Sequence, residues 1–396
     1  MKTYDVAIVG ASISGASLAA CLGQSGRSVA LIDKACFPRR KACGEGLSNV
    51  ALDALGRMGF KMGAAVDSGL PYYAYRLDLG RRSYEFATGR ERRLKGVGVQ
   101  RMILDQVLLD RASSLPSVVM YGGMAVCGIE RDSQGCSVSM STGDRVVAKQ
   151  LVLADGANSA CGKMLGIPVR RTAEPLWGIS FILEGSYSRF AGEVVVILKD
   201  GFEINCTPVS PTRLNVTFLT KREHVKRLQD PAVRERLLAE AMRKTFFSGH
   251  PLEPPLQVGP VSTARRGYVW NSIMMLGDAA ENLDPIAGMG MTHGVLMAEI
   301  AAECLISIHR DGVDPQKALV RYAKLAGKMS RSYRGFTRLT ASLLRSPARR
   351  YLLPVLSSTF LPGMVRSALD DDPGQTSAHP TISKSVLQIA GVQAGA

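Results

Sequence analysis

Nothing in the sequence offers a run of about 18 or more residues that is both predominantly apolar and free of charge, so no membrane-spanning helix is expected. Aromatic residues are only 6% of the chain, which argues against a nucleic-acid surface of interleaved basic and aromatic side chains. The five histidines, at 224, 250, 293, 309 and 379, show neither HxH nor HExxH spacing, so no metal site is indicated. The eight cysteines contain no CxxC pair. A chain of 396 residues needs no disulfide framework, so they read as reduced thiols in a cytoplasmic protein. No GxSxG elbow precedes a helix, which leaves hydrolase chemistry without support. Gly 40 and Pro 19 are ordinary usage, and no fixed-period repeat appears, so fibrous and solenoid architectures are excluded. Lys2 is followed at once by Tyr4-Asp5 and a strand-like run, unlike a signal peptide.

What is present is a hydrophobic share of 46%, enough for a large core, and a net charge of +15. The charge favours anionic partners such as nucleotide cofactors, acidic carrier proteins or membrane surfaces, and it equally serves solubility. Residues 4–9 read as a buried strand, 14–25 as a helix and 28–32 as a second buried strand ending at Asp33. Continuous apolar strands around a helix argue for a βαβ unit in a parallel sheet. Residues 72–79 and 83–87 read as antiparallel strands, 101–113 as a helix, 118–154 as three strands, and 175–220 as four. A polar helix is expected near 230–247, one apolar strand over 268–276, a helix over 291–308, and a loose polar tail after 370.

Between the first strand and helix lies Gly10-Ala-Ser12-Ile-Ser-Gly15, the context a dinucleotide fingerprint requires. Gly10 would make the tight turn, and Gly15 would let strand and helix approach. Pyrophosphate would meet the positive end of the helix. Asp33 ends the next strand, 23 residues after Gly10, where a carboxylate bonds ribose hydroxyls. Ser12 stands where the middle glycine is usual. Arg101 opens a helix, within reach of a phosphate or ribityl chain. Ala154-Asp155-Gly156 ends another strand. Gly277-Asp278 ends a further strand, and Asp284-Pro285-Ile-Ala-Gly288-Met-Gly290-Met291 leads from it into a helix. An acid at a strand end followed by glycine-rich amides suits sugar hydroxyls and developing negative charge.

In order and spacing, these segments resemble the FAD-dependent monooxygenases of the para-hydroxybenzoate hydroxylase type and the related geranylgeranyl reductases, over about residues 4–310. The resemblance implies an FAD cofactor held by Gly10, Ser12, Gly15, Asp33, Arg101, Asp155, Asp278, Pro285, Gly288, Gly290 and Met291, with NADPH or NADH as transient reductant. Asp155-Gly156 would serve FAD and NAD(P)H handling, and Pro285 to Met291 would pass beside the isoalloxazine. The basic residue usual after the Asp-Gly segment has only Lys163, one position late. The stretch Pro38 to Leu47 resembles the Cys-Gly loops of both subgroups. Ala42 and Glu45 tilt it toward the monooxygenases, with Cys43 and Gly44 near the flavin and Arg39, Arg40 and Lys41 near its phosphates. Flavin halogenases share this fold but carry a Trp-x-Trp-x-Ile-Pro element. Trp177 and Trp270 stand far apart, which excludes that motif.

The expected fold is α/β: a Rossmann-like FAD-binding domain (1–70, 96–170, 265–325), a mainly β substrate domain (71–95, 171–264), and a helical C-terminal part with a loose tail (326–396). The substrate would be a small organic molecule, hydroxylated or epoxidised. Flavin-dependent reduction of a prenyl chain is the alternative, and a flavin-free basic binding module the remote one. No acid or base stands out. Glu203, Asn205 and Thr207 alternate along a strand and share one face, either a pocket wall or a solvent face. Arg321, Lys324, Lys328, Arg331, Arg334 and Arg338 form one helical stripe beside an apolar one. Such a stripe is ordinarily solvated. The sharper reading is docking of an anionic carrier or a membrane surface, which would place the protein in the cytoplasm or at the membrane periphery.

Overall fold

A computed structural model describes residues 2–80, 82–87, 94–132, 135–171, 173–189, 192–346, 348, 349 and 351. The strand Lys2–Val9 alternates little and is apolar through most of its length, so it is buried on both faces. It runs parallel to Val29–Asp33 on one side and to Arg145–Leu153 on the other. Val118–Gly122 extends the sheet beyond Val29–Asp33, and Ile273–Met275 extends it beyond Arg145–Leu153, both in parallel. This is the expected α/β fold. Helices Ile13–Gln24, Arg101–Ser113 and Gly290–Arg310 pack together on it.

Two strand readings are corrected. Residues 118–154 hold four strands, not three: Val118–Gly122, Val126–Arg131, Cys136–Met140 and Arg145–Leu153. Gly123, in the left-handed region at φ 73°, breaks a stretch whose apolar content alone read as continuous. Residues 268–276 are a hairpin, Val269–Trp270 against Ile273–Met275, because Asn271 and Ser272 both take positive φ.

A second sheet faces the first. Its path runs Phe247–Pro251, Leu176–Tyr187, Arg213–Lys221, Phe202–Ser210, Glu193–Lys199, Ala74–Asp78, Ser83–Ala87, and Leu256–Val261 also pairs with Leu176–Tyr187. The helix Pro231–Thr245 covers its outer face, where Leu237, Leu238 and Ala241 pack on Ile204 and Val216.

The long helix Pro315–Arg345 starts at an Asp314 cap and a first-turn proline. Its basic stripe is not uniformly solvated. Arg321 pairs with Glu303 at 2.5 Å, and Arg334 with the buried Glu281 at 2.5 Å. Lys324, Lys328, Arg331 and Arg338 remain exposed. The expected tail after 370 lies outside the described residues. Among those residues, Gly290–Arg310 is long and apolar enough to cross a membrane, but 78% of its apolar window is buried inside the protein.

Candidate functional site

Parallel strands end on the same edge of a sheet, and ligands of open α/β sheets gather there. Val9-Gly10, Asp33, Ala154-Asp155 and the segment after Met275 all reach that edge. They open on a cavity of about 820 Å³ whose opposite wall is the second sheet. Gly10, Ser12, Asp33, Cys43, Gly44, Asp155, Asp278, Pro285, Gly288, Gly290 and Met291 line it. Chain segments as far apart as 10 and 291 thus meet in one space.

The fingerprint turn is sterically determined. Gly10 sits at φ 107°, and a Cβ there would lie 2.3 Å from the Ala154 carbonyl oxygen. A Cβ on Gly15 would lie 1.7 Å from the Gly10 carbonyl oxygen. Gly15 therefore supports the cavity from behind and does not line it.

Ser12 does more than replace a glycine. Its hydroxyl accepts from Arg101 Nη2 at 2.7 Å and donates to Asp105 Oδ2 at 3.1 Å. Arg101 is buried and bound to both Asp105 oxygens, so it braces the glycine fingerprint turn through Ser12. Asp33 accepts from the Ala11 amide at 2.7 Å and from the Ala35 amide at 2.8 Å, which locks the turn to its own strand end. Arg40 lies outside the lining. It pairs with Glu253 at 2.6 Å and donates to the Pro254 carbonyl, while its neighbours Arg39 and Lys41 face the cavity.

The far wall carries Tyr72, Tyr75, Asn205, Thr207, Thr217 and Leu219. Alternation along Phe202–Ser210 put Asn205 and Thr207 on one face, left open between pocket wall and solvent, and that face is the cavity wall. Glu203, on the same face, is instead held by Arg345 at 3.0 Å. Arg345 also bonds both oxygens of Asp284, at 2.5 and 2.8 Å, so the end of the long helix ties the glycine-rich loop to the second sheet. Residue types gave no sign of this three-way pairing, because its members lie far apart in sequence.

Glu45 is the residue whose role sequence reasoning missed. It lines the cavity, buried, with Oε1 accepting from the Arg101 amide at 3.1 Å and Oε2 from Asn215 Nδ2 at 3.2 Å. Burial pushes its carboxyl up to about 7. Its φ of 58° is a left-handed conformation that non-glycine residues seldom adopt, and such strain gathers at functional positions.

The cavity fits a dinucleotide. A Cβ placed on Gly44, Gly156, Gly288 or Gly290 would meet nothing within 4 Å, so these glycines bound open space. Arg39 and Lys41 bring cationic side chains to the same lining, which suits a pyrophosphate. A family model described as FAD binding domain matches residues 3–324. The chain belongs to the FAD binding domain family.

FAD is therefore the cofactor of this flavoenzyme, and the resemblance to the para-hydroxybenzoate hydroxylase type holds. Bound FAD supplies the electron transfer, and the chain supplies anchoring, orientation and exclusion of water. The flavoenzyme is 28% identical over 337 residues to ubiquinone hydroxylase UbiL of Rhodospirillum rubrum, covering 79% of this chain and 75% of that protein. It is 28% identical over 376 residues to the menaquinone reductase of Mycobacterium tuberculosis, covering 90% and 85%. The crystal structure of PqsL from Pseudomonas aeruginosa, described as a probable FAD-dependent monooxygenase, superposes with a TM-score of 0.73 at 21% identity, covering 87% of this chain and 97% of that one. At that identity it shows the fold alone.

Proposed function

We propose that this flavoenzyme is an NAD(P)H-dependent monooxygenase acting on a small phenol- or quinone-type ring. The observation that carries the reading is the shared cavity, with the glycine-rich FAD loop on one side and Tyr72, Tyr75, Asn205, Thr207 and Thr217 on the other. Two tyrosine rings suit a flat apolar ligand, and three hydrogen-bonding side chains suit its oxygens. Relatives named for ubiquinone hydroxylation and menaquinone reduction support a ring of this class. The balanced reaction consumes substrate, dioxygen, NAD(P)H and a proton, and yields hydroxylated product, water and NAD(P)⁺.

Reduction of a quinone or prenyl double bond is the second reading, favoured by the menaquinone reductase likeness. The deciding experiment offers FAD-loaded enzyme NADPH with phenol, 2-methoxyphenol, 1-naphthol or 2-methyl-1,4-naphthoquinone under heavy-isotope dioxygen. Labelled oxygen in the product supports the monooxygenase. Turnover that continues anaerobically, with no label, discards it for the reductase.

A further inference from the structure

We propose that Glu45 is the acid–base residue of this site, exchanging a proton with an oxygen of the ring bound between the FAD loop and the second sheet. The proposal rests on the phenol- or quinone-type reading and deepens it. Glu45 lines the cavity from the loop immediately before the strand Gly46–Ser48. One carboxylate oxygen is fixed by the Arg101 amide, at the start of the helix that braces the fingerprint turn. The other is fixed by Asn215, which also donates to Ser180 in the second sheet. The carboxyl is thus oriented from both halves of the molecule, and each oxygen keeps acceptor capacity beyond its single bond.

The other carboxyls of the cavity are engaged differently. Asp33 holds the Ala11 and Ala35 amides, and Asp155 holds the Cys161 amide. Asp284 is bound by Arg345. Asp278 lies on the fingerprint side, near Lys41. The charged and titratable groups around Glu45 are Arg101 from the helix start, Arg40 and Cys43 from its own loop, and Tyr72 from a neighbouring strand. The Arg101 guanidinium is itself committed to Asp105 and Ser12. Desolvation therefore dominates, and the carboxyl gains or loses its proton near neutrality, where acid–base transfer is most effective.

The backbone holds it there. The Glu45 carbonyl accepts from the Val99 amide at 2.9 Å, and its own amide points at Cys43 Sγ at 3.4 Å. With a phenol bound, the O–H bond breaks heterolytically. Its electron pair stays on the phenolic oxygen, and the proton forms the Glu45 acid. With a quinone bound and NAD(P)H as the source of two electrons and one proton, the transfer runs in reverse: the Glu45 acid gives the second proton to the ring oxygen, leaving the carboxylate and the hydroquinone.

The test compares FAD-loaded wild type with Glu45→Gln and Glu45→Asp. First, turnover of the same four probes with NADPH is followed across about pH 5.5–8.5. Glu45→Gln should lower kcat by about 10²–10⁴-fold and abolish the ionisation near neutrality, while Glu45→Asp retains an ionisation. FAD content should stay at wild-type level in both. Second, infrared difference spectra of the FAD-loaded protein across the same range should show one carboxyl titrating and shifting on addition of 1-naphthol, absent in Glu45→Gln. Unchanged kcat and pH profile in Glu45→Gln overturn the proposal and leave the substrate reading standing. If no probe is turned over by wild type, the substrate reading fails. The infrared band then decides Glu45: a titrating band that responds to 1-naphthol supports it, and no such band overturns it. A purely structural Glu45 would lower FAD content or melting temperature and leave the pH profile where it was.

Discussion

Arg101 donates from Nη2 to the Ser12 hydroxyl at 2.7 Å, joining the first residue of one helix to the cap of another 89 residues earlier. The serine that departs from the glycine fingerprint is thereby the contact through which a buried Arg101–Asp105 pair supports the fingerprint turn. Arg101→Ala leaves Asp105 fully buried without its cation, a loss of about 3–5 kcal/mol. Denaturant unfolding of Arg101→Ala against wild type measures it. A loss under about 1 kcal/mol would contradict the pairing described here.

Two glycines of the site should fail in opposite ways. Gly10→Ala drives a methyl group against the Ala154 carbonyl and should prevent folding or lower the melting temperature sharply. Gly290→Val projects into open cavity, so the apoprotein should melt as wild type does while FAD affinity falls. Calorimetry of apoprotein and fluorescence titration with FAD separate the two effects.

Asp33→Ala and Asp278→Ala should also part company. The first frees two backbone amides, at about 1–3 kcal/mol for each buried group left unpaired, and would also remove the proposed ribose anchor. It should weaken both the fold and FAD binding. Asp278→Ala should weaken FAD binding with little change in apoprotein stability. Wild-type FAD affinity in both variants would refute the strand-end anchoring.

Stability should depend on pH through Glu45. The native protein keeps this proton up to about 7, where the unfolded chain releases it near 4.5. Between those values the native state binds more protons than the unfolded state, so unfolding free energy falls as pH rises, by about 3 kcal/mol in all. The contribution is complete below the lower value and gone above the upper. Glu45→Gln should flatten this part of the profile in apoprotein denaturation curves collected from acid to alkaline pH. An unchanged slope would show that other groups produce it.

The exposed basic face is a separate matter. Reversing Lys324, Lys328, Arg331 and Arg338 to Glu leaves the Glu303 and Glu281 pairs of Arg321 and Arg334 intact. If the face docks an anionic carrier or lipid, binding to phosphatidylglycerol vesicles or to an acidic carrier protein should drop most at low salt, since screening acts over about 8 Å at physiological ionic strength. Equal binding by wild type and variant would leave only a solvated face.

The local features of this protein were written in its sequence. The apolar run at 4–9, the turn at Gly10, the strand end at Asp33 and the helix from Arg101 to Ser113 are each set by neighbours within a few residues, and each lies where its pattern placed it. Alternation in Phe202–Ser210 put Asn205 and Thr207 on one face, and the tertiary structure decided that this face is a cavity wall. Periodicity failed where a turn interrupted apolar chain, at Gly123 and at Asn271-Ser272, because apolar content does not report the sign of φ. It also could not say which basic residues of the long helix turn inward to Glu281, Asp284 and Glu203. The tertiary structure alone decided the surroundings of Glu45. Its proton affinity comes from burial between an amide of Arg101 and a side-chain amide of Asn215, 170 residues away. Desolvation and long-range hydrogen bonding depend on what the fold brings together, and residue type at one position carries no record of that.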